Sequence, residues 1–143
     1  MRPLSAIVLV ALGVFGCAGA SGTVHVPVCP TSGEALLDGK SAAGAMFIFH
    51  PVTPVELPAL PRATVGKDGH FQVGTYGADD GLPEGEYVVT VLWTTKPRDA
   101  DETVEGKSVV NANFSQKQTS PIKAVVVKGG DGNCVLPTFK LTR

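Results

Sequence analysis

The sequence predicts an all-β sandwich of about seven strands, on three observations. Stretches of alternating apolar and polar residues recur at short intervals, each bounded by turn residues. The 17 Gly and 11 Pro show no triplet period, so they mark many turns and not a collagen repeat. A length of 143 residues suits one domain, and 43% apolar against 17% charged residues is too apolar for a disordered chain. A formal net charge of -1 removes the electrostatic basis for binding nucleic acid.

Val24, Val26 and Val28 alternate with His25 and Pro27 ahead of Cys29, which predicts a first strand. Pro27 and Pro30 restrict it to an edge or a strand start. Glu34 to Leu37 precedes Asp38-Gly39, a hairpin-turn pair. Ala45, Phe47 and Phe49 share one face of the next strand, and Met46 and Ile48 predict partial cover on the other. Pro51, Pro54, Pro58 and Pro61 stiffen the loop that follows. Arg62 to Val65 predicts a short strand, with His70 to Thr75 returning as its partner across Lys67-Asp68-Gly69. A turn-rich loop through Asp79-Asp80-Gly81 and Pro83-Glu84-Gly85 leads to Glu86–Trp93, where Tyr87, Val89, Val91 and Trp93 share a face. Residues 94–120 lack sustained alternation and read as a long surface insertion, with capping-box spacing between Asp99 and Glu102. Ile122 to Val127 predicts a strand. Gly129 to Gly132 is a turn, and Cys134 to Leu141 predicts the last strand, with Pro137, Phe139 and Leu141 inward.

The N-terminus reads as a targeting segment. Arg2 precedes an apolar run from Leu4 to Phe15, about a dozen residues, too short to span a bilayer and suited to a signal peptide. The run ends in Val14-Phe15-Gly16-Cys17, which resembles the bacterial lipobox, although Phe15 stands where that pattern has a small or β-branched residue. The resemblance implies cleavage before Cys17 and acylation of that residue, hence an anchor in a membrane. An ordinary secretory signal cut after Ala18, Ala20 or Ser21 is the alternative. The expected organisation is a signal peptide over 1–16, a lipidated Cys and tether over 17–22, and a β-sandwich domain over 23–143. The mature chain would carry 11 basic against 13 acidic residues.

Four ordered segments carry a further resemblance: 37–45 (LDGKSAAGA), 49–51 (FHP), 66–71 (GKDGHF) and 80–91 (DGLPEGEYVVTV). With 120–127 (SPIKAVVV) and 136–141, they are similar to carboxypeptidase regulatory-like domains, in particular those of planctomycete-type surface lipoproteins. Ser41, where Pro is usual, and residues 29–32 (CPTS), which look inserted, depart from the pattern. The resemblance implies a seven-stranded transthyretin-like or immunoglobulin-like sandwich and no agreed activity.

No G-x-S-x-G, H-E-x-x-H or P-loop is present, and His25, His50 and His70 follow no metal-ligand spacing. His50 and His70 are expected to face solvent. The Tyr–His spacing of intradiol dioxygenases is missing, and the end 139–143 (FKLTR) differs from the Tyr-Arg-Gly-Ser terminus of hydroxyisourate hydrolases. The expectation is a non-enzymatic protein without a cofactor. Loop oxygens of Asp79, Asp80 and Asp131 are calcium candidates. Trp93 and Tyr76 could face a sugar, and the acidic stretch 99–105 is the first choice for a partner contact. With Cys17 acylated, Cys29 and Cys134 remain as a pair in an oxidising compartment. They meet if the first and last strands of the sandwich are neighbours; otherwise they are two buried thiols. The functional expectation is an extracytoplasmic, membrane-anchored lipoprotein of the cell envelope, its sandwich serving interaction or envelope structure. A carbohydrate- or calcium-binding module is the alternative.

Overall fold

The computed structural model describes residues 25–95 and 106–143. In chain order the strands are β1 (Thr31–Leu37), β2 (Lys40–Ser41), β3 (Met46–Pro51), β4 (Arg62–Thr64), β5 (His70–Gln72), β6 (Gly85–Leu92), β7 (Thr94–Thr95) and β8 (Lys107–Ser108). After a 3-10 helix, η1 (Ala112–Ser115), come β9 (Lys123–Val126), β10 (Cys134–Val135) and β11 (Phe139–Leu141). The described residues are almost all β and contain no α-helix. Eleven short strands replace the expected seven: the last expected strand splits into β10 and β11, and the two-residue strands β2, β7 and β8 have no counterpart in the expectation.

The strands form two larger sheets and a small hairpin. The first sheet centres on β1, with β10 and β11 parallel on one side and β2 and β5 antiparallel to β1. The second has the order β4-β3-β6-β9, antiparallel throughout. β7 and β8 pair with each other. Alternation explains the packing. Phe47 and Phe49 of β3 and Tyr87, Val89 and Val91 of β6 are buried, while Phe71 of β5 and Phe139 of β11 come inward from the first sheet. Phe47 meets Phe71 edge-on at 5.1 Å and Phe139 at 5.3 Å between ring centroids, so one ring joins the two sheets. The result is sandwich-like, with an aromatic centre whose edge-to-face geometry suits the ring quadrupoles.

Several elements differ from the sequence expectation. Among the described residues the first strand begins at Thr31; Val24 of the expected strand lies outside them, Val26 and Val28 are not in a strand, and Cys29 to Ser32 leads into β1 or forms part of it. Pro27 and Pro30 lack the amide that a ladder requires, so among the described residues before Thr31 only Cys29 bridges, to Leu82. The turn after Arg62–Thr64 does not make an ordinary hairpin: β4 joins β3, and β5 crosses to β1. Residues 94–120 are not purely surface, because Val110, Phe114 and Ser120 are buried. Asn111 caps η1 by accepting from the Asn113 amide at 3.0 Å. The last strand splits at Pro137, which is exposed, and Leu136 turns inward in its place. Proline interrupts the ladder, and the inward parity restarts at Phe139. Trp93 lies one residue past β6, half-buried against the core.

Candidate functional site

The chain's two cysteines within the described residues are joined. Cys134 lies opposite Thr31 in the parallel β1–β10 pair, and its amide donates to the Pro30 carbonyl at 2.8 Å. Cys29 exchanges two backbone hydrogen bonds with Leu82, at 2.7 and 2.9 Å. These pairings bring the Cα atoms to 6.2 Å, and a disulfide links Cys29 to Cys134. Gly81 makes the approach possible: with φ of 105°, a Cβ there would overlap the Cys29 carbonyl. Cys17 lies outside the described residues.

The aspartates serve their own loops. Asp80 accepts backbone amides from Thr75 at 2.6 Å, Tyr76 at 3.0 Å and Gly77 at 2.9 Å. Burial pushes its carboxyl up, but these donors outweigh burial and hold it below the usual carboxylate range. Asp131 accepts from the Asn133 amide at 3.1 Å and its side-chain nitrogen at 3.3 Å, which also depresses its pKa. Asp79 is exposed with φ of 58°. Among the described residues no group of three or more His, Cys, Asp or Glu could hold a metal ion, so the three calcium candidates do not converge.

The histidines and aromatics are also separated. His70 is exposed. His50, expected to face solvent, is half-covered: its Nε2 lies 2.9 Å from Thr90 Oγ1 beside the buried Thr90. Burial, and then the Lys117 charge, hold its pKa below the ordinary histidine value. His25 lies against Tyr76 with ring centroids 3.9 Å apart, and the Val26 amide donates to Tyr76 Oη at 2.9 Å. Tyr76 and Trp93 do not form one aromatic platform: Tyr76 lines the groove described next, and Trp93 is not part of its wall. The acidic stretch 99–105 and its proposed helical turn lie outside the described residues.

A wide groove of about 1110 Å³ opens where β4 and β5 part. Arg62 and Gly74 exchange two backbone hydrogen bonds, at 3.1 and 3.0 Å, and Gly66 donates to the His70 carbonyl at 2.8 Å. Between these closures Thr64 pairs with Met46 and Gln72 with Ser32, in different sheets. The groove follows from this divergence. Its wall presents Ser32, Glu34, Arg62, His70 and Gln72 from the outward positions of three strands. Thr138 on the far side donates to Glu34 at 3.1 Å. Tyr76 and Asp79 stand at another part of the wall. The wall carries three carboxylate residues (Glu34, Asp68 and Asp79) and one guanidinium residue, Arg62. Of the groove residues, the sequence singles out Tyr76 as a candidate sugar contact and Asp79 as a calcium candidate. The rest come together only through two strands that separate after a turn, which has no local sequence signature.

Comparison with known proteins finds no matching family model, no matching curated protein and no matching solved structure. The likeness to carboxypeptidase regulatory-like domains therefore rests on the ordered motifs alone.

Proposed function

We propose that this chain is an extracytoplasmic lipoprotein, anchored through Cys17, whose sandwich of the transthyretin-like or immunoglobulin-like kind is a non-catalytic interaction module. The Cys29–Cys134 disulfide carries this reading. A structural disulfide belongs to an oxidising compartment, and it leaves Cys17, at the end of an apolar run, as the remaining cysteine of three. The sandwich type draws support from Tyr87, whose Oη donates to the Pro83 carbonyl at 2.8 Å, four residues upstream. A tyrosine near a strand start bonded back to the preceding corner is a recurring device of immunoglobulin-like sandwiches. A binding role draws support from the groove, whose polar side chains lie on rigid strands. The buried hydroxyls of Thr31, Thr75, Ser120 and Tyr87 are each committed to a backbone carbonyl.

The anchor is tested by expressing the full chain in a bacterial host and taking the mass of its mature N-terminal peptide. The expected result is an acylated Cys17 and recovery in the membrane fraction, both lost in Cys17→Ser. An unmodified N-terminus beginning after Ala18, Ala20 or Ser21 would overturn the anchor.

A further inference from the structure

We infer that the groove between β4 and β5 binds a neutral saccharide chain. Its edges are the first reason. An extended peptide adding to a sheet needs a continuous free edge. Here the backbones of β4 and β5 are tied to each other at both ends, through Arg62–Gly74 and Gly66–His70. No free run of edge remains along this line, so recognition falls to side chains. Those offered are a hydroxyl (Ser32), a carboxylate (Glu34), a guanidinium (Arg62), an imidazole (His70) and an amide (Gln72). Ser32, Glu34, His70 and Gln72 stand on a sheet grid of about 7 Å along each strand and about 4.8 Å between strands, and Arg62 faces them from the second sheet. That array of mixed donors and acceptors, at the scale of a sugar ring, is suited to adjacent hydroxyls.

Charge and rigidity narrow the ligand further. Three carboxylates against one guanidinium repel a polyanion, which removes sulfated or phosphorylated polymers. Leu60 and Val135, both exposed, offer apolar contacts in the wall for the C–H faces of a ring. Tyr76 is fixed in advance: the Asp80 carboxylate holds its amide, and the Val26 amide holds its hydroxyl. Side chains already ordered lose less entropy when a ligand arrives.

The chain enters the described structure at His25, against Tyr76 in the groove wall. Residues 17–24 reach at most about 29 Å when extended. An anchor at Cys17 therefore keeps the groove within reach of the membrane surface and points to an envelope glycan as the source. This placement rests on the anchor proposed above; the saccharide site does not.

The test is calorimetric titration of the full chain, held in detergent micelles, with cellotetraose, chitotetraose and maltotetraose, and with heparin as the polyanion. At least one neutral tetrasaccharide is expected to bind, with slowed amide exchange over residues 70–76. His70→Ala and Gln72→Ala are each expected to weaken binding about fivefold, the equivalent of one lost hydrogen bond. Both substitutions are at exposed positions, so the thermal midpoint stays near that of the parent. Three results would each overturn the site: no saccharide binding up to roughly 10 mM, tighter binding of heparin, or binding that both variants leave unchanged. Cys17→Ser titrated in parallel separates the two proposals, since it keeps saccharide binding whether or not the anchor exists.

Discussion

β3 and β6 lie side by side over six residue pairs, whereas β1 has four neighbours, none paired with it over more than three. The two regions reach order by different means. In the β3–β6 pair, Phe47, Phe49, Val89 and Val91 alternate inward along strands long enough to fix their own register. In the other sheet the partners of the seven-residue β1 are pieces of two and three residues, which cannot do that. It is held by links from outside the ladder: the Cys29–Cys134 disulfide, the Thr31 hydroxyl and the Asp80 loop. A sheet of fragments thus depends on a few bonds of high individual weight. A sheet of long strands distributes its stability over many contacts.

The disulfide is the most direct way to break this contrast. It closes a loop with a sequence separation of 105, and in the chain-entropy model its loss costs about 4–5 kcal/mol. Cys29→Ser/Cys134→Ser is expected to lower the urea midpoint by that equivalent. Hydrogen exchange should quicken first over 31–37 and 134–136, ahead of 86–92. Uniform loss of protection in both sheets would erase the distinction. Phe47→Ala is the complementary change. Phe47 touches both Phe71 and Phe139, so its removal should cost about 3–5 kcal/mol. Its effect is expected in both sheets at once, read as a single cooperative transition with a lower midpoint.

The same contrast governs what could be read from the sequence. The inward positions of β3 and β6 follow from alternation, and the first hairpin follows from Asp38-Gly39, whose φ values of 49° and 81° are the positive ones such a turn needs. The β1 sheet was harder. Two residues of β2 or β10 carry no measurable period. Pro137 shifts the inward parity between Leu136 and Phe139, and Pro27 with Pro30 keeps Val26 and Val28 out of a strand. Lys67-Asp68-Gly69 marks a turn without saying that the chain changes sheet there. That crossing makes the groove, so Ser32, Glu34, Arg62, His70 and Gln72 were not legible as a set. Asp79, Asp80 and Asp131 stand out in the sequence by their chemistry, while the amides that Asp80 and Asp131 accept in their own turns carry no signature there.

Asp80 is the next largest lever on the fragmented region. Asp80→Ala removes an acceptor shared by three amides and is expected to cost about 2 kcal/mol. The carboxylate also introduces pH dependence. Its folded pKa lies below the ordinary value, so its contribution is complete above the unfolded carboxylate pKa and is lost as pH falls through the folded one. The urea midpoint of the parent should therefore decline between neutral and strongly acid pH more steeply than that of Asp80→Asn. Parallel curves for the two proteins would remove Asp80 from the acid transition.

The smallest effect belongs to the region of long strands. Tyr87 is buried on β6, and its hydroxyl donates to the Pro83 carbonyl at 2.8 Å. Tyr87→Phe keeps the ring against Phe49, whose centroid is 6.2 Å away, and removes one hydrogen bond. The carbonyl left behind makes the cost about 1 kcal/mol, a modest fall in thermal midpoint shared by the whole sandwich. Alkaline titration reports the burial of the same hydroxyl. Burial pushes the Tyr87 phenol up to about 12. Because the folded state disfavours the phenolate, this contribution is complete below the unfolded tyrosine pKa and is lost as pH rises toward 12. The chain has two tyrosines, so phenolate absorbance in Tyr76→Phe isolates Tyr87. Its ionisation should coincide with unfolding at high pH. Ionisation near the ordinary value of about 10, with the sandwich intact, would show that the corner is open to water and that even the long-strand sheet relies on local links.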